Sequence, residues 1–302
     1  MTGYSDQSNA PATGWRDSFR TVSIVGVGLI GGSFALAIRR AGFQGEILGV
    51  SSAGTIEEAL ALGVIDRGMP LEEAAAASDL VYLANPIQRI LDSFPRIAAS
   101  IRPGTLVTDA GSTKSVIVSE AAKHFSHGMF LGGHPMAGKA ARGVSAAEAE
   151  LLSGRTYVLT PDAGTVADIQ SYRCFQSLLE DIGARIVVMD ARTHDKVVAV
   201  TSHLPQLIST ILAETVLNEI PDIEYLSVSG RGLADMTRLA GSSYDVWSDI
   251  LRTNRQAISD VLDEYLRTLQ LTRDQFGEGS LRDLFERAAT VPSRLTAFRQ
   301  II

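Results

Sequence analysis

Several features are scarce or absent in this sequence of 302 residues, and each absence removes a class of protein. The chain has one cysteine, Cys174, so it cannot form an internal disulfide, and we expect this thiol to be a small buried residue. The sequence contains no run of five like charges, and its net charge is -7. It therefore lacks the basic footprint of a protein that binds nucleic acid.

Targeting and membrane signals are also missing. The first residues have neither the basic start nor the apolar core of a signal peptide, and no apolar run is long enough to cross a bilayer. We therefore expect a cytoplasmic protein that acts on a small molecule and binds no membrane. Residues 1–19 are predicted to be a flexible tail, and the remainder, in a chain with 45% hydrophobic residues, can fill two domains.

A glycine-rich turn is the strongest signal present. Residues 22–33 read VSIVGVGLIGGS, a β-branched strand followed by the spaced glycines Gly26, Gly28 and Gly31 and the start of a helix. In this pattern the glycines permit a tight turn and a close backbone approach, and the helix N-terminus offers unpaired amides to phosphate groups. The sequence therefore predicts a dinucleotide site formed by Gly26, Gly28, Leu29, Ile30 and Gly31.

Strand and helix patterns alternate as far as residue 191 and are followed by helical patterns alone. This order predicts an α/β fold with a doubly wound, Rossmann-type sheet at residues 20–191 and an all-helical domain at residues 192–302. The later helices are predicted at 194–218, 226–240, 245–271 and from 281 onward. They carry more apolar surface than one thin layer can bury, so we expect a homodimer.

The end of the second strand bears on the choice of cofactor. A carboxylate that binds the ribose hydroxyls of NAD is expected there, but the sequence has Ser51 and Ser52. Two hydroxyls can bind a 2′-phosphate that a carboxylate would repel, so NADP is favoured over NAD. The arginine typical of NADP sites is missing as far as Arg67, which leaves NAD as the alternative.

Four further residues are candidates for chemistry. Ser112 follows a strand that ends in the predicted crevice, although it could simply cap the next helix. His134 lies between glycines and a proline at another strand end, where an imidazole could take a proton from an alcohol. His203 precedes Pro205, which we expect to break the helical ladder. Arg238 could bind a carboxylate with two hydrogen bonds, although it could also be a solvated ion-pair partner.

Taken together, six motifs resemble the prephenate/arogenate dehydrogenases of tyrosine biosynthesis. The motifs occur in order over about residues 20 to 302: GVGLIGGS, the turn Ala84-Asn85-Pro86, TDAGSTK at 108–114, GGHPMAG at 132–138, THDKVVAVTSHLP at 193–205 and GLADMTRLAGSS at 232–243. GGHPMAG, with the later SHLP and DMTR, is far more specific than the glycine turn. Asn85 replaces the threonine that is commoner before the proline.

The resemblance implies a Rossmann domain, a helical dimerisation domain and an oxidative decarboxylation of prephenate or arogenate with NADP or NAD. It assigns His134 to the proton of the substrate hydroxyl and Ser112 to the orientation of that hydroxyl. His203 and Arg238 fall on the substrate side, the arginine at a carboxylate. Asn85 and Pro86 join the cofactor site. Because aromatisation of the ring drives the carboxylate out as CO2, no metal is expected.

Two alternatives stay open at this point. A β-hydroxyacid or 6-phosphogluconate-type dehydrogenase has the same architecture and would use a lysine such as Lys196 as its base. In that case the GGHPMAG loop would have no role. A dimer that senses a dinucleotide without catalysis would need no positioned His134.

Overall fold

The computed structural model describes residues 14–126, 129–161, 170–276 and 281–301. Contacts between Cα atoms divide the chain into two compact units that adjoin between Ala191 and Arg192. Each unit is described by itself below. Most of the predicted tail, residues 1–13, lies outside the described residues.

The first unit is built on one sheet of eight strands in the order β3-β2-β1-β4-β5-β6-β7-β8, and all neighbours are parallel except β6 and β7. The strands are β1 Thr21–Val25, β2 Glu46–Val50, β3 Arg67–Gly68, β4 Leu80–Leu83, β5 Leu106–Asp109, β6 Phe130–Pro135, β7 Thr156–Thr160 and β8 Arg185–Val188. The helices are α1 Trp15–Ser18, α2 Leu29–Arg40, α3 Ala53–Ala61, α4 Leu71–Ala77, α5 Ile87–Ala98, α6 Ser115–His124 and α7 Gln170–Asp181.

This arrangement confirms the predicted doubly wound fold. The central strand β4 is an unbroken apolar run, and all four of its residues are buried, as expected where helices cover both faces of a parallel sheet. Phe34 of α2 stacks on Tyr82 of β4 with ring centroids 3.9 Å apart, which joins helix and sheet in the core. β3 was not predicted, because its two residues are too few to show a period.

The end of the predicted tail needs a correction. Trp15 and Phe19 are each 2% exposed and belong to the hydrophobic core. The indole Nε1 of Trp15 donates to Asp181 Oδ2 at 2.8 Å, so the short helix α1 is attached to α7. Two large aromatic side chains stabilise this segment by burial, and the interpretation of residues 15–19 as flexible is wrong.

The second unit is helical throughout its described residues. Its helices are α8 Ala191–Val198, α9 Leu204–Glu219, α10 Arg231–Thr237, α11 Tyr244–Thr253, α12 Arg255–Asp274, α13 Arg282–Ala288 and α14 Thr290–Ile301. The single helix predicted at 245–271 is divided at Asn254, whose backbone is not helical (φ -116°, ψ 25°). The buried Asn254 side chain donates to Asp195 O at 2.8 Å, a tertiary contact that periodicity does not reveal.

The helix that contains Pro205 does not break. Residues Ala199–His203 form a π-helical segment between α8 and α9, and Pro205 lies in the first turn of α9. The wider π turn accommodates a proline ring that would clash with the preceding turn of an ordinary helix. Ala191–Glu219 therefore runs as one helix of 29 residues.

This helix also corrects the expectation about apolar segments. By length and composition it could cross a membrane, and it is the one such helix in the part of the chain that the structure describes. Core helices of water-soluble proteins can be equally long and apolar, and here 33% of the most apolar stretch is buried. The finding is weak evidence for a span.

Candidate active site

The glycine turn lies where the strand order reverses. β1 is flanked by β2 and β4, and Gly26 follows β1 with φ 98°, a left-handed conformation that favours glycine. A Cβ at Gly26 would lie 2.8 Å from the Ala84 carbonyl carbon and 2.5 Å from Asn85 Oδ1. The turn after β4 thus closes against the turn after β1, at the switch point where doubly wound sheets bind ligands.

The start of α2 fits the phosphates of a dinucleotide. Gly28 is the N-cap of this helix, and no side chain caps it, so its first amides are left without a side-chain partner. A Cβ on Gly28 would meet no atom within 4 Å, so space is open beside the backbone. Leu29 and Ile30 form the first turn and are half-buried, and Gly31 packs so closely on the Gly26 carbonyl that any side chain there would overlap it. Open space beside unpaired amides is what a pyrophosphate requires.

Asn85 and Pro86 frame the same turn from the end of β4. Pro86 is exposed and is the N-cap of α5, with φ -49°. Asn85 is half-buried, and its Oδ1 lies beside Gly26. Both residues therefore lie beside the predicted dinucleotide site.

Ser51 and Ser52 differ in what their side chains do. The Ser52 hydroxyl accepts from the Thr55 amide at 3.4 Å and so caps α3. Ser51 is exposed and directly follows β2, and the amide of Gly26 donates to the carbonyl of the preceding Val50 at 2.9 Å. Ser51 thus borders the glycine turn, whereas Ser52 has a structural role.

Arg67 does not complete a phosphate site. It is on β3 opposite Leu48 and forms an ion pair of 3.1 Å with Glu46, the first residue of β2. Its partner therefore lies at the end of β2 away from Ser51. No other arginine was expected from the sequence near this strand end.

Ser112 and His134 follow neighbouring strands of the sheet. His134 is partly exposed near the end of β6 and pairs with Val158 of β7, while Ser112 is half-buried three residues after β5. α6 begins at Ser115 with Lys114 as its N-cap, so Ser112 does not cap this helix. The capping interpretation of Ser112 is wrong, and its hydroxyl is placed at the crevice end of the sheet.

A buried ion pair beside these residues was not predicted. Asp109 and Lys114 are both fully buried and form a salt bridge. Each also binds the backbone of Gly133, next to His134. The motif TDAGSTK contains both residues, but its pattern gave no sign that they would turn inward together.

His203 is held in the second unit by a second unpredicted contact. It ends the π-helical segment, is 1% exposed and packs edge-on to the Trp247 ring with centroids 5.8 Å apart. Asn254 Nδ2 lies 3.2 Å from His203 Nδ1 and also donates to the Asp195 carbonyl. An amide nitrogen can only donate, so Nδ1 accepts and the imidazole proton is on Nε2.

Burial lowers the pKa of His203 to about 4, because the charged form loses its hydration. The Asp195 carboxylate opposes this shift, while His194 adds to it. His194 is itself buried and bonded to Asp195 at 2.8 Å through its Nδ1. His203 is thus a neutral donor at neutral pH. Lys196, the base of the alternative mechanism, is exposed and lies off the buried face of α8.

Arg238 lies on a short turn that α9 fixes. It begins the 3-10 segment Arg238–Gly241 and is exposed, and in the described residues no carboxylate pairs with it. The next residues are anchored, because Gln206 Nε2 donates to Leu239 O at 2.9 Å and the Ala240 amide donates to Ser209 Oγ at 3.1 Å. Gln206 is one turn along the helix from His203, so this turn docks on the side of α9 that carries the histidine.

Comparison with known proteins adds family relationships to this geometry. Residues 34–188 match the family model described as "Prephenate dehydrogenase, nucleotide-binding domain", and residues 190–288 match "Prephenate dehydrogenase, dimerization domain". The prephenate dehydrogenase of Bacillus subtilis is 35% identical over 272 residues, which cover 88% of this chain and 72% of that protein.

Two solved structures are similar over nearly the whole chain. The prephenate dehydrogenase of A. aeolicus, in complex with hydroxyphenyl propionate and NAD+, has a TM-score of 0.84 and 29% identity and covers 92% of this chain and 98% of its own. The arogenate dehydrogenase of Synechocystis has a TM-score of 0.79 and 28% identity and covers 92% and 99%.

Proposed function

The chain belongs to the prephenate dehydrogenase family, and from this premise we propose that it oxidises and decarboxylates prephenate or arogenate with a nicotinamide dinucleotide. The single observation that carries the proposal is the placement of His134 at the crevice end of β6, beside the strand end that carries Ser112. A dinucleotide sensor without catalysis would have no use for this arrangement. A nicotinamide dinucleotide bound there would supply the acceptor for the hydride.

The roles of the chain's own residues follow from their positions. His134 is partly exposed, so its imidazole can take the proton of the ring hydroxyl as the carbon is oxidised. Ser112 orients that hydroxyl. Departure of the ring carboxylate as CO2 makes the ring aromatic, and this gain in stability removes the need for an added acid at that carbon.

His203 and Arg238 are proposed to hold the substrate. Arg238, which pairs with no carboxylate in the described part of the chain, offers its guanidinium to a substrate carboxylate, a charged contact worth about 1.5–3 kcal/mol. His203 donates from Nε2 while neutral, because Asn254 occupies Nδ1. Because His203 is uncharged, Arg238 is the cation that binds the carboxylate of the substrate.

We propose NADP as the preferred dinucleotide. Ser51 stands beside the glycine turn where a carboxylate would select NAD, and a serine does not repel a 2′-phosphate. The Ser52 hydroxyl caps α3, and Arg67 pairs with Glu46. The preference for NADP therefore depends on the Ser51 hydroxyl, without help from an arginine. We therefore expect selectivity at the lower end of about 1 to 3 kcal/mol.

We also propose a homodimer formed by the second unit. Its helices leave large apolar side chains exposed, namely Ile211, Leu217, Tyr225, Val228, Met236, Tyr244, Val246, Leu266, Leu269, Leu271, Phe276 and Phe285. Surface of this amount and kind is typical of an interface between subunits. A cytoplasmic location stays a prediction.

The experiment that tests the function follows formation of the reduced dinucleotide by its near-ultraviolet absorbance. Purified protein receives prephenate or arogenate, each with NADP or NAD, and a 3-hydroxyacid serves as the control for the alternative dehydrogenase. We expect turnover with one or both cyclohexadienes. Turnover of the hydroxyacid alone would contradict the proposal.

A further inference from the structure

The strand that carries His134 extends beyond its neighbour. β6 is in register with β5 at Val107↔Phe130 and Thr108↔Leu131, but it continues to Pro135. The amide and carbonyl of Gly133 therefore lie past the end of this ladder. Since Gly133 is buried, both polar groups need partners from elsewhere.

The side chains of Asp109 and Lys114 supply those partners. The Gly133 amide donates to Asp109 Oδ1 at 3.1 Å, and Lys114 Nζ donates to Gly133 O at 2.7 Å. The second carboxylate oxygen accepts from the Gly111 amide at 2.8 Å and from Lys114. Both polar groups of the residue before His134 are thus held by one ion pair.

There is no room for a side chain at Gly133. A Cβ at this position would lie 2.6 Å from the Asp109 carbonyl oxygen and 3.0 Å from the Tyr157 ring and hydroxyl. On the other edge, His134 pairs with Val158 of β7. The backbone at His134 is therefore fixed, and so is the direction of its Cα–Cβ bond.

Stability alone is a poor explanation for this ion pair. Burial of two charges carries a desolvation penalty that can exceed their attraction, and apolar replacements of similar volume are often neutral or stabilising. The Asp109–Lys114 pair is fully buried and binds the peptide next to a candidate base. This placement points to a role other than stability.

We propose that Asp109 and Lys114 are positioning residues, which clamp the Gly133 peptide and thereby aim the His134 imidazole at the substrate hydroxyl. The inference rests on the proposed function, because it gives the clamp a purpose through His134. It adds to the catalytic machinery two residues that act through His134 and not by contact with the substrate or the dinucleotide.

The first test separates positioning from stability. Lys114→Met leaves the Asp109 carboxylate buried without its partner and should lower the thermal midpoint strongly, whereas Asp109→Asn/Lys114→Met removes both charges and should restore it. We expect the double variant to stay about 10- to 100-fold below wild type in kcat, with both Michaelis constants nearly unchanged. A double variant that regains kcat along with its stability would overturn the proposal.

A matched control addresses general damage to the sheet. Thr108 is also fully buried between the same strands, and its Oγ1 donates to Leu131 O at 2.7 Å. Thr108→Val should lower the thermal midpoint while kcat stays close to wild type, because this bond does not involve the Gly133 peptide. An equal loss of kcat in this control would show that the clamp has no special role.

A second measurement needs neither activity nor a folded variant. Amide hydrogen exchange in wild-type protein compares Gly133 with Gly138, an exposed glycine in the loop that follows. We expect Gly133 to exchange at least about 100-fold more slowly, because its amide is bonded inside the protein. Similar rates at the two glycines would refute the clamp.

The two levels of the proposal can fail separately. If His134→Asn retains full kcat, the catalytic role of the histidine fails, whatever the exchange data show. If His134→Asn loses kcat but the double variant does not, only the clamp fails.

Discussion

The buried His203 makes folding stability depend on pH in a direction that can be worked out from its environment. Its pKa is about 4 in the folded chain, against an ordinary value of 6.5, because burial penalises the imidazolium. Between these values the unfolded chain binds a proton at this site and the folded chain does not. The contribution of His203 to the free energy of unfolding is therefore greatest above about pH 6.5, falls as the pH is lowered, and reaches its minimum near pH 4.

The magnitude follows from linkage. At about pH 5 the unfolded state gains about 2 kcal/mol from protonation of His203, while at about pH 7 the gain is close to zero. His194 and Asp195 form a buried ion pair in the same cluster, so the wild-type curve alone does not isolate one residue. His203→Asn is the matched reference, since an asparagine oxygen can still accept from Asn254.

The assay is urea unfolding of both proteins at the two pH values. We expect wild type to lose about 2 kcal/mol more than His203→Asn as the pH falls from about 7 to about 5. Equal losses in the two proteins would refute the reasoning, because His203 would then titrate alike in the folded and unfolded states.

Three further outcomes are expected. Arg238→Ala should raise the substrate KM about 10- to 150-fold and leave the dinucleotide KM unchanged. The control is Arg231→Ala, at an exposed arginine that begins α10, and it should change neither constant. Equal rises in both constants for Arg238→Ala would make this arginine structural. Ser51→Asp should shift kcat/KM from NADP towards NAD, and a wild type that already prefers NAD would show that Ser51 has been misread. Sedimentation should find a dimer, and a fully active monomer would contradict the proposed interface.

Local sequence patterns predicted the parts of this protein that depend on local physics. The glycines at Gly26 and Gly31 indicated the turn, because Gly26 has a left-handed backbone and a Cβ at either position would overlap neighbouring backbone atoms, while Gly28 leaves open space at the start of the helix. The buried strands of the sheet were predictable as short apolar runs, because helices cover both faces of a parallel sheet. His134 was identifiable because a histidine between glycines has little packing value.

Contacts between residues distant in sequence were not predictable. Asn254 divides a long helical pattern because its amide binds the Asp195 carbonyl, 59 residues away. The π-helical segment keeps the helix continuous through Pro205, where the usual rule predicts a break. Lys114 is fully buried through partners on two strands, whereas a lysine in sequence is expected to be solvated.

The most direct test of the central claim is the rate of His134→Asn. We expect kcat to fall about 10²- to 10⁴-fold, because a general base contributes a factor of this size, while the dinucleotide dissociation constant and the thermal midpoint stay near wild type. A kcat close to wild type in a folded variant that still binds the dinucleotide would contradict it.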